Sequence, residues 1–552
     1  MAGCSMAGRT LAGPLSIAWM VTVYTADAPT PPVQSRPAVH AADLFQTADT
    51  CMVCHNNLVT PSGQNVSMGT DWRATMMANS ARDPYWQASV RREIMDHPEA
   101  RAAIEDECSI CHMPMSTFAA RAGGGHGEIF AHLPIGQGTA PDSALAADGV
   151  SCAICHQVQP DRLGTPESFT GGYVIDTARP DGERAIFGPF AVDAGRTRLM
   201  RSATGFVPTE ATHLQSSEVC ATCHTLYTTA LGPTGQPIGR LPEQMPFLEW
   251  RHSAYRSRQT CQDCHMPVVT EPVAIAGVLG QPREGVRRHV FRGGNVFMLR
   301  LLNRYRDELG VAATPQEMEQ SIARTIDHLQ SSTARVAMGT PSLSAGRLTF
   351  DVAVQNLAGH KLPSAYPSRR VWLHVRVQDA AGRAVFESGA GDAQGRVAGN
   401  DNDLDPMRFE PHYTRIERPD QVQIYESIMA GTSGALTTGL LTGVRYAKDN
   451  RLLPEGFDKA TAPADVAVHG EAATDADFQA AGDRVQYAVD VGAASGPLRI
   501  EVRLTFQPIA FRWADNLRAY DAPETRRFVR YWDSMAGASS VVLASATAEV
   551  GR

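Results

Sequence analysis

Five times the chain spells Cys-x-x-Cys-His: Cys51–His55, Cys108–His112, Cys152–His156, Cys220–His224 and Cys261–His265. With 11 Cys and 17 His in 552 residues, random order yields about 0.01 such motifs per chain, so the repetition demands a chemical reason. The motifs use ten of the cysteines, and Cys4 stands apart. This spacing is how a c-type haem is attached: two thiols add across the porphyrin vinyl groups, and the adjacent imidazole becomes the proximal ligand to iron. The expected attachment residues are Cys51, Cys54, Cys108, Cys111, Cys152, Cys155, Cys220, Cys223, Cys261 and Cys264, with His55, His112, His156, His224 and His265 on iron. Zinc ribbons, redox dithiols and disulfide frameworks also use paired cysteines, but none requires a histidine after every second one. The motif starts lie 57, 44, 68 and 41 residues apart, too far for paired zinc knuckles. The sequence therefore calls for five covalently bound haem c groups.

A chain of this length implies two or more domains. Its formal charge of −8, with no basic tract, excludes a nucleic-acid partner and suits docking to basic redox proteins as donor and acceptor. The first 28 residues read as an export signal. Arg9 precedes an apolar run from Leu11 to Tyr24, and Ala26-Asp27-Ala28 supplies the small-x-small cleavage pattern. No later stretch reaches the roughly 18 apolar residues that span a bilayer. The expected location is periplasmic or facing the exterior, with peripheral or oligomeric association left open.

The expected fold class is α+β and multidomain. A Pro- and Ala-rich arm covers 29–50, and a haem-packed, mainly helical or irregular domain covers 51–310. Five motifs within 215 residues leave about 43 residues each, too few for separate cores, so the haems must supply interior and lie near one another. A connector follows over 311–339. Thr314-Pro315-Gln316-Glu317 is a capping box with Pro at the first helical position, and Met318, Ile322, Ile326 and Leu329 share one face. From 340 to 552 the period changes to two. Leu348, Phe350, Val352 and Val354, then Val371, Leu373, Val375 and Val377, then Val485–Val489 and Ile500–Phe506 alternate with polar neighbours. That pattern predicts an antiparallel, sandwich-like β domain.

Each iron needs a sixth ligand or stays open. Twelve histidines lie outside the motifs. The candidates drawn from them are His126 and His132 after the Gly123–Gly125 run, His213 and His252 shortly before motifs, His289 between Arg287-Arg288 and Arg292, and His360 in Gly359-His360-Lys361-Leu362-Pro363. The arginines beside His289 are expected as propionate partners. His97 is a weaker candidate, and Met76 or Met77 could serve the first haem, where a thioether would raise the potential.

These motifs, the Cys-His-Met-Pro continuations at His112–Pro114 and His265–Pro267, Glu249–Ser253, His289–Gly294 and the Gly359–Pro363 and Arg369–Leu373 stretches together resemble the multihaem cytochrome c superfamily over roughly 51–390. That superfamily includes nitrifier tetrahaem cytochromes, hydroxylamine oxidoreductase and pentahaem nitrite reductase. The resemblance implies electron transfer along packed haems. An alternative is oxidation or reduction of a small nitrogen or sulfur compound at one open iron. All five motifs end in His, so the Cys-x-x-Cys-Lys haem of nitrite reductase has no counterpart. Asp401-Asn402-Asp403-Leu404-Asp405 offers hard oxygen ligands to calcium, or merely an acidic turn.

Overall fold

Alternating apolar residues dominate the C-terminal half, and there the period-two reading is met strand by strand. In a computed structural model, residues 44–551 are described except 139, 141, 493 and 495. The strands named here are numbered in chain order; a short antiparallel pair, Val273–Ala274 with Pro282–Arg283, is left unnumbered. Before the connector come a parallel pair, β1 (Arg184–Gly188) with β2 (Phe206–Glu210), and a hairpin, β3 (Leu226–Leu231) with β4 (Pro237–Gln244).

After the connector come β5 (Ala334–Met338), β6 (Ser342–Ser344), β7 (Arg347–Asn356), β8 (Arg370–Gln378), β9 (Ala384–Ser388), β10 (Arg415–Ile416), β11 (Ile424–Ala430), β12 (Leu436–Thr437), β13 (Arg445–Asp449), β14 (Gly482–Asp490), β15 (Leu498–Gln507) and β16 (Val541–Val550). One sheet runs β12-β11-β8-β15-β16, with β9 beside β8 and β13 beside β11; the other runs β10-β14-β7-β5, with β6 beside β7. Pairing is antiparallel except between β10 and β14. Val352, Val354, Val485 and Tyr487 of one sheet join Val375, Val377, Val502 and Leu504 of the other in a single buried core. Strand β8 is covered on both faces, because Trp372 lies in a second small cluster with Val397, Val422 and Ile424.

The haem region is built from short helices. Helix α1 (Pro84–Asp96) starts at Asp83, whose carboxylate accepts from the Tyr85 and Trp86 amides. Helix α2 (Arg101–His112) ends on the second motif, and α3 (Pro114–Ala122) follows directly. Helix α4 (Pro246–Arg251) precedes the fifth motif, and α5 (Val296–Arg304) leads to the connector. The connector helix α6 (Pro315–Ser332) begins with the expected capping box and buries Met318, Ser321, Thr325 and Leu329. The first strand of its sheet, β5, starts inside the stretch expected as connector.

Sequence periodicity does not announce how far the C-terminal half reaches back. Helix α7 (Pro523–Met535) packs on α1, with Arg91 donating to Glu524 at 2.8 and 3.2 Å. Phe528, Tyr531 and Trp532 of α7 share a core with Tyr85, Phe297 and Leu301. The described residues fall in one compact unit. No helix among them is long and apolar enough to cross a membrane.

Candidate haem centres

A Cys-x-x-Cys-His segment places its two thiols and its imidazole at i, i+3 and i+4, one face of a helical turn. All five segments adopt that turn. The His55, His156 and His224 amides donate to the carbonyls of Cys51, Cys152 and Cys220 at 2.9–3.0 Å, while His112 and His265 end their helices. All ten motif thiols are unpaired and partly buried. The motifs also abut. The thiol of Cys51 is hydrogen-bonded to that of Cys152, Cys111 to Cys223, and Cys220 to Cys261, while Cys223 acts on Cys155. In a loaded chain these sulfurs would be thioethers, so what carries over is proximity: motif 1 beside 3, 3 beside 4, and 4 beside both 2 and 5. Burial pushes the Cys155 thiol up to about 12 and Cys108 well above its ordinary value.

Four motif histidines are held in the tautomer that a metal needs. The Nδ1 of His55 donates to Ile275 O at 2.6 Å, that of His112 to Ser80 O at 3.0 Å, and that of His156 to Phe187 O at 2.6 Å. His265 bonds in the same way to Arg292 O. A carbonyl only accepts, so the proton sits on Nδ1 and Nε2 keeps its lone pair. Burial lowers His112 and His265 to about 4, so both are neutral at pH 7.

Two metal–imidazole bonds of about 2 Å, together with the half-width of each ring, put two axial imidazole centroids about 6 Å apart. His289 faces His156 with centroids 6.3 Å apart and ring planes 18° from parallel. His360 faces His265 at 6.4 Å and 11°. Both fit a flat ring with a central metal between them, and both donate Nδ1 to a carbonyl, of Arg287 at 3.2 Å and Lys361 at 2.9 Å. Together with free thiols at every motif, this donor set fits covalent haem.

The Gly359–Pro363 motif has a structural reason. Lys361 is fully buried and pairs with Asp449 at 2.7 Å; Asp449 pairs with Arg451 at 2.7 Å, and Arg451 with Glu249 of α4 at 3.0 Å. Glu249 also accepts from the Lys361 amide at 3.1 Å and the Ser364 hydroxyl at 2.6 Å. Burial alone would raise Asp449, but Arg451 and Lys361 overcome it and hold the carboxyl well below the usual range. This cluster pins the loop carrying His360 to the helix just before motif 5. Nearby, Phe291 adopts φ +38°, a left-handed conformation that side chains disfavour. That twist lies between His289, which faces His156, and Arg292, whose carbonyl holds His265.

The other candidates lie elsewhere. The Nε2 of His213 donates to Val158 O at 2.8 Å, and that of His252 to Asp458 O at 3.2 Å. His132 bonds Ser143 at 3.2 Å and lies 3.9 Å from Asp142, and His126 is exposed. None of the four faces a motif histidine among the described residues. His97 is buried with Nε2 unpartnered, and Met76 packs against the cluster that contains Tyr85. His40 lies outside the described residues. Two of the arginines expected on propionates pair with carboxylates, Arg287 with Asp263 at 2.5 Å and Arg288 with Asp71 at 2.7 Å. In the acidic turn, Asp403 holds Arg370 at 2.8 Å and Asp401 pairs with Arg408.

His412, Asp475 and Asp483 form the remaining metal-like group among the described residues. The amides of Gln423 and Asn450 both donate to His412 Nδ1, at 2.9 and 3.1 Å, and the proton on Nε2 points at Asp475, 3.0 Å away. That tautomer makes the group a hydrogen-bonded cluster in which both ring nitrogens are engaged. Sequence reasoning missed His328 on α6, whose ring lies 6.0 Å from His265. The signal was present: His328 stands three residues after buried Thr325 and beside buried Leu329.

Comparison with solved structures finds the same fold in a multihaem cytochrome. The chain is similar to a penta-heme cytochrome c552 from Thermochromatium tepidum, with a TM-score of 0.50 and 15% identity over 93% of this chain and 100% of that one. No family model and no curated protein matches the sequence.

Proposed function

We propose that the chain is an exported pentahaem cytochrome that carries electrons between a redox donor and acceptor. The observation that carries the proposal is the contiguity of the motifs, 1 to 3 to 4 to 5 with 2 beside 4, which fits a branched path in space rather than in sequence order. Bound haem would supply reversible one-electron chemistry of iron. The residues proposed to hold it are the ten motif cysteines, the five motif histidines, and His289 and His360 as sixth ligands. The buried ion cluster around Lys361 and Asp449 would fix the His360 loop, and the carbonyls of Ile275, Ser80, Phe187 and Arg292 would keep each Nε2 aimed at its metal. The sandwich-like half would shape docking. Mass spectrometry of the exported chain should show five porphyrin adducts, and redox titration should show five one-electron steps. Fewer adducts would reject the assignment.

A second reading is supported by one specific observation. Beside motif 2, burial raises Glu243 to about 7, with Glu107 and Glu93 adding to the effect, and Tyr366 hydrogen-bonds Tyr85 nearby. A carboxyl that titrates near neutrality suits proton delivery to a small nitrogen or sulfur substrate at that haem. A high-spin haem that binds nitrite or cyanide, and loses that binding's pH dependence in Glu243→Gln, would establish it.

A further inference from the structure

One side chain lies flat against a motif histidine. The half-buried indole of Trp86, in the first turn of α1, is parallel to the His112 imidazole at 1°, with centroids 4.2 Å apart. Two rings on opposite sides of an iron stand about 6 Å apart, as the rings beside His156 and His265 do at 6.0–6.4 Å. Trp86 is too close for that arrangement. It flanks the imidazole instead of facing it across a metal.

The segment that carries Trp86 grips His112 at three points. Ser80 Oγ donates to the His112 carbonyl at 2.8 Å, the Ser80 carbonyl accepts from Nδ1 at 3.0 Å, and the indole covers one face of the ring. The segment is itself fixed, because Asp83 accepts from the Trp86 amide at 3.1 Å and the Gln87 side chain donates to Ala81 O at 2.7 Å. The carbonyl bond of His112 is longer than those of His55 and His156, both 2.6 Å. A hydrogen bond at one ring nitrogen tolerates a broad range of angles, and a parallel stack removes that freedom.

Resting on the five-haem reading, we infer that Trp86 is a positioning residue for the motif 2 haem: it sets the plane of the His112 imidazole about the iron–nitrogen axis. An imidazole that shares its lone pair with iron becomes electron-poor, and indole offers the most electron-rich face among side chains. The stack is therefore strongest in the ligated state. The plane of an axial imidazole fixes which iron d orbital it overlaps, so the stack reaches the electronic state of one iron without touching it.

The test uses the full-length chain, exported with its haems attached. Trp86→Leu should shift and broaden the ferric EPR features of one haem and move one midpoint potential, with the other haems unmoved. Trp86→Phe, a smaller ring on the same face, should fall between the parent and Trp86→Leu. A Trp86→Leu chain with a lower denaturation midpoint but parent EPR features and potentials makes the indole packing alone and overturns the inference. If Trp86→Leu does not fold, Trp86→Phe decides: a small shift at one haem upholds it, and a parent spectrum overturns it. A parent chain with fewer than five porphyrins by mass removes the underlying reading instead, whereas full haem content with an unmoved variant spectrum removes this assignment alone.

Discussion

The region of the motifs and the β region solve the problem of an interior differently. The β region has one continuous core, drawn from both sheets and contributed by nearly every strand. The motif region shares one core with the C-terminal half through Tyr85, Phe297 and Leu301, and the rest of its apolar residues fall in small clusters: one around Ile110, Ile154 and Tyr173, one around Val90, Ile104 and Met113, one around Val66 and Val273, and one around Trp72. Motif cysteines line the edges of three of these. A chain divided so finely does not bury enough apolar surface by itself. On the proposed function, the polypeptide makes the core in one region, and in the other it would make the walls of a core that the prosthetic groups complete.

The strongest way to break this contrast is to withhold haem. The chain expressed without haem attachment should lose protease protection across residues 51–310 while fragments within 334–550 persist. Equal protection of both regions on a gel of timed digests would refute it. Next in size is the buried ion cluster that joins the regions. Asp449→Ala strands Lys361 and Arg451 as buried charges, so it should cost about 3–5 kcal/mol and release His360, visible together as a lower denaturation midpoint and a new high-spin signal. Within the β core, Leu504→Ala should cost about 2–5 kcal/mol with no change in any haem spectrum, separating packing from ligation.

A pH effect of comparable or smaller size belongs to Glu243. Its folded-state value is raised to about 7 from an ordinary 4.5, so the folded chain holds this proton more tightly than the unfolded one. Its contribution to stability is therefore present below about pH 4.5 and is lost as pH rises toward 7. Glu243→Gln should flatten the stability profile over that window by on the order of 3 kcal/mol, measured by urea denaturation at stepped pH. Smallest of all is the exposed pair Arg347–Glu417: Glu417→Ala should change stability by less than about 1 kcal/mol.

How much was legible beforehand follows the same division. The strands at 348–354, 371–377, 485–489 and 500–506 and the capping box at Thr314 were readable because local periodicity and local hydrogen bonds decide them. The turns of the five Cys-x-x-Cys-His segments were readable because their spacing is local. The distal histidines were not, since they are chosen by contacts across long stretches of chain. His289 and His360 do face motif histidines, whereas His213 and His252 sit near motifs in sequence but turn Nε2 to carbonyls. His328 borders the buried face of α6 marked by Thr325 and Leu329, but no local pattern tells which part of the chain that face meets. Arg287 and Arg288 had a charge pattern suited to propionates, but the long-range carboxylates of Asp263 and Asp71 could not be seen from the flanking sequence.

His360 follows every attachment motif in the chain, and it is held by residues that come later still, Asp449 and Arg451. A protein threaded through a membrane from its N-terminus presents all five attachment points before any of these has emerged. If the chain is exported and loaded as proposed, maturation would have a built-in last step, in which the trailing half of the chain places His360, and a product cut short before residue 449 would carry its pigment yet be unfinished.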